Sequence, residues 1–278
     1  MTRRNKQNIA IYIVNTFLGL LYVSPLLWMV VSSFKPEHRI FADMTRGILA
    51  FLPMEFTLEN YVEVFKRSNL IHYIFNSIGY VSVLVCLSMV VNSMCGYALA
   101  KFHFRGKNAV FTVIIALFVL PMESILLSLY WLVNELGWCD TYLALIVPFI
   151  AKCFDIYLFR QFFLDVPDEL VEAAEMDGAN PIRIFFGLVM PISGSVFATV
   201  LILDYVAYWS DFMWPLLATL SPNMRTVQLG LQAFFTEPPI YYGPIMAALV
   251  ISVIPMMIMF SFFQKYYVKG IASTGIKG

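Results

Sequence analysis

Between Ile9 and Phe34 the sequence runs for 26 residues without a charged side chain, and between Tyr73 and Ala100 it does so for 28. The hydrocarbon core of a bilayer is about 30 Å thick and takes about 20 helical residues to cross. Inside it every backbone N–H and C=O has to be satisfied within the segment, so runs of this kind confine the chain to membrane-spanning helices. The rest of the 278 residues follows suit: 60% are hydrophobic, 13% are charged and the mean hydropathy is +0.76, which excludes a soluble domain. The formal net charge is zero and the basic residues form no patch, so nucleic acid is not an expected partner. Cys86, Cys95, Cys139 and Cys153 have neither metal nor redox spacing and are expected to be buried free thiols. His38, His72 and His103 are scattered and no nucleophile stands beside a base, so no catalytic and no metal-ligating residues are expected.

Arg3, Arg4 and Lys6 precede the first apolar run, which is too long for a signal-peptide core and is followed by no small-residue cleavage site. It is expected to be a retained span over about 9–34 in contact with membrane lipid, its N-terminus in the cytoplasm. Residues 35–71 are polar and mixed in charge, an expected external loop that closes in a short helix lying along the membrane. Further spans are expected over about 73–100, 110–133, 142–163, 192–217 and 241–263, the third of them interrupted by Pro121 and Glu123, with a cytoplasmic tail over 265–278. Trp131, Trp138 and Tyr142 frame the turn after the third span as an interfacial belt. The basic residues agree with this orientation. Lys101, Arg105 and Lys107 crowd one short cytoplasmic segment and Lys265, Lys269 and Lys277 mark the tail, while the external turn 134–141 has no Lys or Arg. The expected fold is an all-α polytopic membrane protein: one transmembrane domain over 1–278, six transmembrane helices and both termini cytoplasmic.

Residues 165–191, DVPDELVEAAEMDGANPIRIFFGLVMP, interrupt the apolar pattern between the fourth and fifth spans. Pro167 suits the first helical position, and Asp168 and Glu169 complement the positive end of a helix dipole. Gly178 is expected to stop that helix, and Asn180 with Pro181 to cap and start a second one running to Pro191. Leu170, Ala173, Ala174 and Asp177 share a face by the i, i+3, i+4, i+7 rule, which makes it small and smooth. An anionic cytoplasmic leaflet would repel so acidic a helix, so the segment is expected to dock into a protein groove.

Glu172, Ala173 and Ala174, followed by Gly178 and then by Leu188, Val189, Met190 and Pro191, resemble the signature loop of ABC importer permeases. That pattern has Ile and Leu where Leu188 and Met190 stand, which are volume-conserving exchanges. The runs FTLENYVEVF, YALAKFHFRGK, WSDFMWPLL and FFQKYYVKGIASTGIKG resemble the carbohydrate-uptake branch of the family, so the likeness extends from about Pro53 to Gly278. That branch more commonly has Asn and Glu where Ser210 and Asp211 stand. The resemblance implies a permease subunit that moves a sugar or oligosaccharide into the cytoplasm by alternating access. It implies a second related permease, two cytoplasmic ATPase subunits and an extracytoplasmic solute-binding protein as partners, in the cytoplasmic (inner) membrane of a bacterium or archaeon. It also makes Glu172, Ala173, Ala174, Asp177, Gly178 and Pro191 the ATPase-coupling residues of a short helix inserted into a cleft of the ATPase. The sequence holds no Gly-x-x-x-x-Gly-Lys-Ser/Thr loop, so ATP and Mg are expected on the partner ATPase and no cofactor on this chain.

Glu123, Lys152, Asp155 and Asp204 fall near the middle of their expected spans, where a charge costs about 2.5–3.5 kcal/mol. Lys152 and Asp155 stand at i, i+3 and are able to pair. On one reading these charges neutralise one another where helices pack. On another they line a water-filled substrate pathway with Tyr208 and Asp211, beside Tyr130, Trp131, Tyr205, Trp209 and Trp214, whose rings suit stacking on sugars. A third makes the acids the proton or cation sites of an ion-coupled secondary transporter, which leaves the acidic docking segment unexplained. Pro121, Pro148, Pro215 and Pro255 each remove a backbone hydrogen bond and are expected kinks.

Overall fold

In the computed structural model, which describes the backbone of residues 3–274 and the side chains of residues 11–265, all regular structure among the described residues is helical. The first charge-free run forms α1 (Arg3–Ser33). The expected external loop folds as α2 (Glu37–Ala42), a 3-10 segment (Met44–Phe51) kinked at Arg46 and Gly47, and α3 (Glu59–Arg67), and the second run forms α4 (Leu70–Lys101).

The later spans are broken where the sequence carries proline or charge. α5 (Lys107–Phe118) and α6 (Met122–Glu135) meet at 98°. Pro121 has no N–H to continue α5, and with ψ 135 it stands extended as the cap of α6. The run expected as one span over 110–133 therefore turns through a right angle. α7 (Tyr142–Ile146) continues through a tight turn at Val147–Phe149 to a break at residues 150–152, beyond which α8 (Cys153–Leu164) departs at 43°. The acidic segment follows as α9 (Asp168–Met176), α10 (Pro181–Ile184), a π-turn (Phe185–Val189) and α11 (Met190–Ile192). The chain then bends by 81° into α12 (Gly194–Trp209). The expected fifth span, 192–217, is interrupted after Trp209 and resumes as α13 (Met213–Ala218). α14 (Val227–Thr236) precedes α15 (Tyr242–Thr274), which carries the sixth expected span and continues helical through most of the expected tail. Lys277 and its neighbours from 275 onward lie outside the described residues. By length and composition α1, α4 and α15 are each able to cross a membrane, and six crossings result if each bent pair counts as one.

The chain divides into two compact units. The first comprises residues 3–71 with Gly230–Ile254 and is organised around Lys35, a fully buried lysine. Its Nζ donates to Asp43 Oδ2 (3.1 Å), Leu49 O (3.0 Å) and Ala50 O (3.1 Å), so all three ammonium donors are used and the charge is paired. Asn60 of α3 donates to Ser33 O (2.9 Å) and Lys35 O (2.8 Å), filling carbonyls left open at the end of α1. The Glu37 carboxylate accepts from the Tyr242 and Gly243 amides (2.9 and 2.8 Å), which caps the start of α15.

The second unit comprises His72–Leu229 with the chain from Pro255 onward. Its cysteines, like the sequence, carry no disulfide, but the expectation of burial fails: Cys86 is exposed and Cys95, Cys139 and Cys153 are half-buried. A helix surface in lipid is as apolar as a helix interior, so a thiol there gains little by turning inward.

Candidate functional site

The acidic segment is held to the second unit by an apolar anchor. Val171 of α9, Ile184 of α10 and Phe185 and Val189 of the π-turn are buried against Tyr97 of α4 and Phe159 and Phe163 of α8. Pro167 is the cap of α9 and not its first residue, because its fixed φ serves both positions and its ψ of 133 is extended. At the end of α4, Lys101 donates to Val166 O and to the Asp168 carboxylate. That hydrogen bond, with the lysine's charge, holds the Asp168 carboxyl below its ordinary range.

Gly178 ends the helix in the left-handed conformation, φ +77, which glycine adopts without strain. Asn180 Oδ1 accepts from the Arg183 amide at 2.8 Å, the cap the sequence predicts. The second helix is not uniform. Pro191 cannot donate, and its ring crowds the carbonyl of Gly187 four residues back, so the turn before it widens. Leu170, Glu172, Ala173, Asp177, Gly178 and Pro191 are exposed. Ala174 departs from the expected smooth face: it stands at i, i+3 from Val171 and packs half-buried on the anchor. Met176 and Ile182 are exposed as well, so the segment offers apolar as well as acidic side chains to its surroundings.

A second polar site forms at the break in the fourth expected span. There Asn92 of α4 splints the backbone: its Nδ2 donates to Ile150 O (3.1 Å) and its Oδ1 accepts from the Lys152 amide (3.1 Å). Both groups would otherwise be unsatisfied in an apolar medium. The Lys152 ammonium pairs with Asp204 Oδ1 of α12 and lies 3.6 Å from Asp155 Oδ1 of α8. Asp155 is 1% exposed and Asp204 0%, so each carboxylate depends on this one cation and on the neutral donors around it. Those donors come from α4: Ser88 Oγ reaches Asp155 Oδ2 (3.4 Å) and Asp204 Oδ2 (3.5 Å), and Asn92 Nδ2 reaches Asp155 Oδ2 (3.4 Å). The ammonium stands 5.6 Å from the ring centre of Tyr208, whose hydroxyl donates to Phe149 O (3.3 Å).

The expected pathway residues thus divide. Lys152, Asp155, Asp204 and Tyr208 come together, whereas Glu123 is exposed in the first turn of α6 and makes no ion pair among the described residues. Asp211 lies in the break after α12 and accepts from the Trp214 amide at 3.4 Å, at the start of α13. Of the aromatic set, Trp209 and Trp214 are buried, and Trp214 Nε1 donates to Ala144 O at 3.0 Å, so these two pack inside the chain. Sequence reasoning missed Ser88 and Asn92. Their signal was two hydrogen-bonding side chains at i, i+4 in a charge-free span.

Residues 92–273, which include Asn92, the break and the whole acidic segment, match the family described as binding-protein-dependent transport system inner membrane component. The chain belongs to this family. The chain is 35% identical over 264 residues to the arabinooligosaccharides transport system permease protein AraQ of Halalkalibacterium halodurans, covering 94% of each chain. It is 30% identical over 266 residues to the trehalose/maltose transport system permease protein MalG of Thermococcus litoralis, again over 94% of each. Its fold matches a chain in the crystal structure of a bacterial ABC transporter involved in the import of the acidic polysaccharide alginate. The TM-score is 0.81 at 22% identity, over 96% of this chain and 99% of that one.

Proposed function

We propose that this chain is one permease subunit of an ATP-driven ABC importer that carries a sugar or oligosaccharide across the cytoplasmic membrane of a bacterium or archaeon. It works beside a second related permease, two cytoplasmic ATPase subunits that bind ATP and Mg, and an extracytoplasmic solute-binding protein. The observation that carries the reading is the exposed Glu172-Ala173 helix, ended by a left-handed Gly178, in a chain of this family. The carbohydrate class rests on the arabinooligosaccharide and trehalose/maltose systems named for the relatives.

In this mechanism α9 is the coupling helix. Glu172 binds backbone or basic groups of the ATPase, and the small Ala173 and Gly178 let the two surfaces approach closely. Closure of the ATPase dimer on ATP draws the coupling helices together and turns the cavity between the permeases outward, where the binding protein releases its cargo. Ala173→Trp tests the docking. Ala173 is exposed, so the variant is expected to fold and to keep its partner permease while losing the ATPase on purification. Retention of the ATPase at the wild-type level contradicts the assignment.

A further inference from the structure

α8 runs into the acidic segment and α12 runs out of it, so the two helices are the arms of one hairpin. Their near ends pack through Phe159 and Phe197, with ring centres 4.8 Å apart, and through Val196 and Val200. Lys152 stands one residue before α8, about 18 Å along that arm, and Asp204 about 15 Å along α12, so their ion pair closes the hairpin at matched height. Apolar contacts in lipid resist sliding only weakly, because lipid is as apolar as the side chains it replaces. A buried ion pair fixes register at one point, since separating it leaves uncompensated charge. Here the pair is further held by Asp155, Ser88 and Asn92, and Asn92 also takes the Ile150 carbonyl and the Lys152 amide at the break.

We propose that Lys152 and Asp204 are positioning residues of the transport cycle: they make α8 and α12 move as one body, so that a displacement of the coupling helix reaches the break at residues 150–152. This rests on the docking function proposed for α9 and adds the route by which its motion enters the spans.

The test is hydrogen–deuterium exchange on the intact complex with its partner permease and ATPases, with and without ATP under conditions that block hydrolysis. In the wild type, ATP is expected to change exchange in both 165–193 and 147–155. In Lys152→Met the coupling segment should still respond, while the response of 147–155 falls about tenfold, within the range of ordinary coupling free energies. The charge exchange Lys152→Asp with Asp204→Lys rebuilds the pair and should restore it. An unchanged response in Lys152→Met overturns the proposal, as does an assembled charge-exchange variant that fails to restore it. Should Lys152→Met not assemble, the charge-exchange variant decides by itself. A wild-type complex whose coupling segment ignores ATP overturns the docking reading and this proposal with it, whereas a failure confined to 147–155 overturns this proposal alone.

Discussion

At Gly96 α4 packs directly on the backbone of α8. A Cβ placed on Gly96 would lie 2.7 Å from Phe159 Cβ, 2.9 Å from the Arg160 amide nitrogen and 3.1 Å from the Ile156 carbonyl oxygen. Two of these atoms are backbone, so no rotamer change relieves the contact. Ordinary carbon–carbon separation begins near 3.5 Å, so Gly96→Ala has to part the helices by roughly 0.8 Å. Overpacking of this kind costs about 1–3 kcal/mol, and the gain in helix propensity returns at most about 1 kcal/mol. Gly79, on the same helix, has nothing within 4 Å of its Cβ position and is exposed, so Gly79→Ala should be neutral or slightly stabilising. Thermal unfolding of the two purified variants in one detergent compares them directly. Gly96→Ala should melt below both wild type and Gly79→Ala. Equal melting temperatures would mean that α4 and α8 do not meet as described.

Two further outcomes follow from the polar chemistry. Lys35→Met leaves the buried Asp43 carboxylate with only the exposed Arg46, 4.0 Å away, and should destabilise the first unit by about 3 kcal/mol, while Lys35→Met with Asp43→Leu recovers most of that. A single variant as stable as wild type, measured by denaturant unfolding, would contradict the pairing. Asp168 has a carboxyl whose value is depressed when folded, so its contribution is complete above the ordinary carboxylate range near about 3.9 and is lost as pH falls through the folded value. Acidification from about pH 5 to about pH 3 should therefore lower the melting temperature more in wild type than in Lys101→Met. Parallel curves for the two proteins would remove Lys101 as the cause.

Much of this was legible in the sequence for plain physical reasons. A charge-free run of lipid-crossing length has few alternatives to a helix, and α1 and α4 formed where the runs lie. Gly178 and Asn180 act locally, so their stop and cap are readable without tertiary context. The breaks were harder. Proline at 121 announces an interruption but not a 98° turn, since the angle depends on what the two halves pack against. Pairing across helices was the least readable part. The i, i+3 spacing of Lys152 and Asp155 is visible, but the partner that binds Lys152 more closely is Asp204, 52 residues away, and nothing local announces it. Lys35 likewise looked like one charge among several in a polar loop. Its burial depends on Leu49 and Ala50 carbonyls that only the folded turn presents.

A permease that takes its energy from a separate ATPase should purify with it. The most direct measurement is to purify this chain with a small tag from its native membrane in mild detergent, identify the accompanying chains by mass spectrometry and assay ATP hydrolysis. An ATPase and a second, related permease are expected in the preparation, with hydrolysis that an added solute-binding protein stimulates. Recovery of the chain alone or as a homo-oligomer, without ATPase activity, would contradict that expectation.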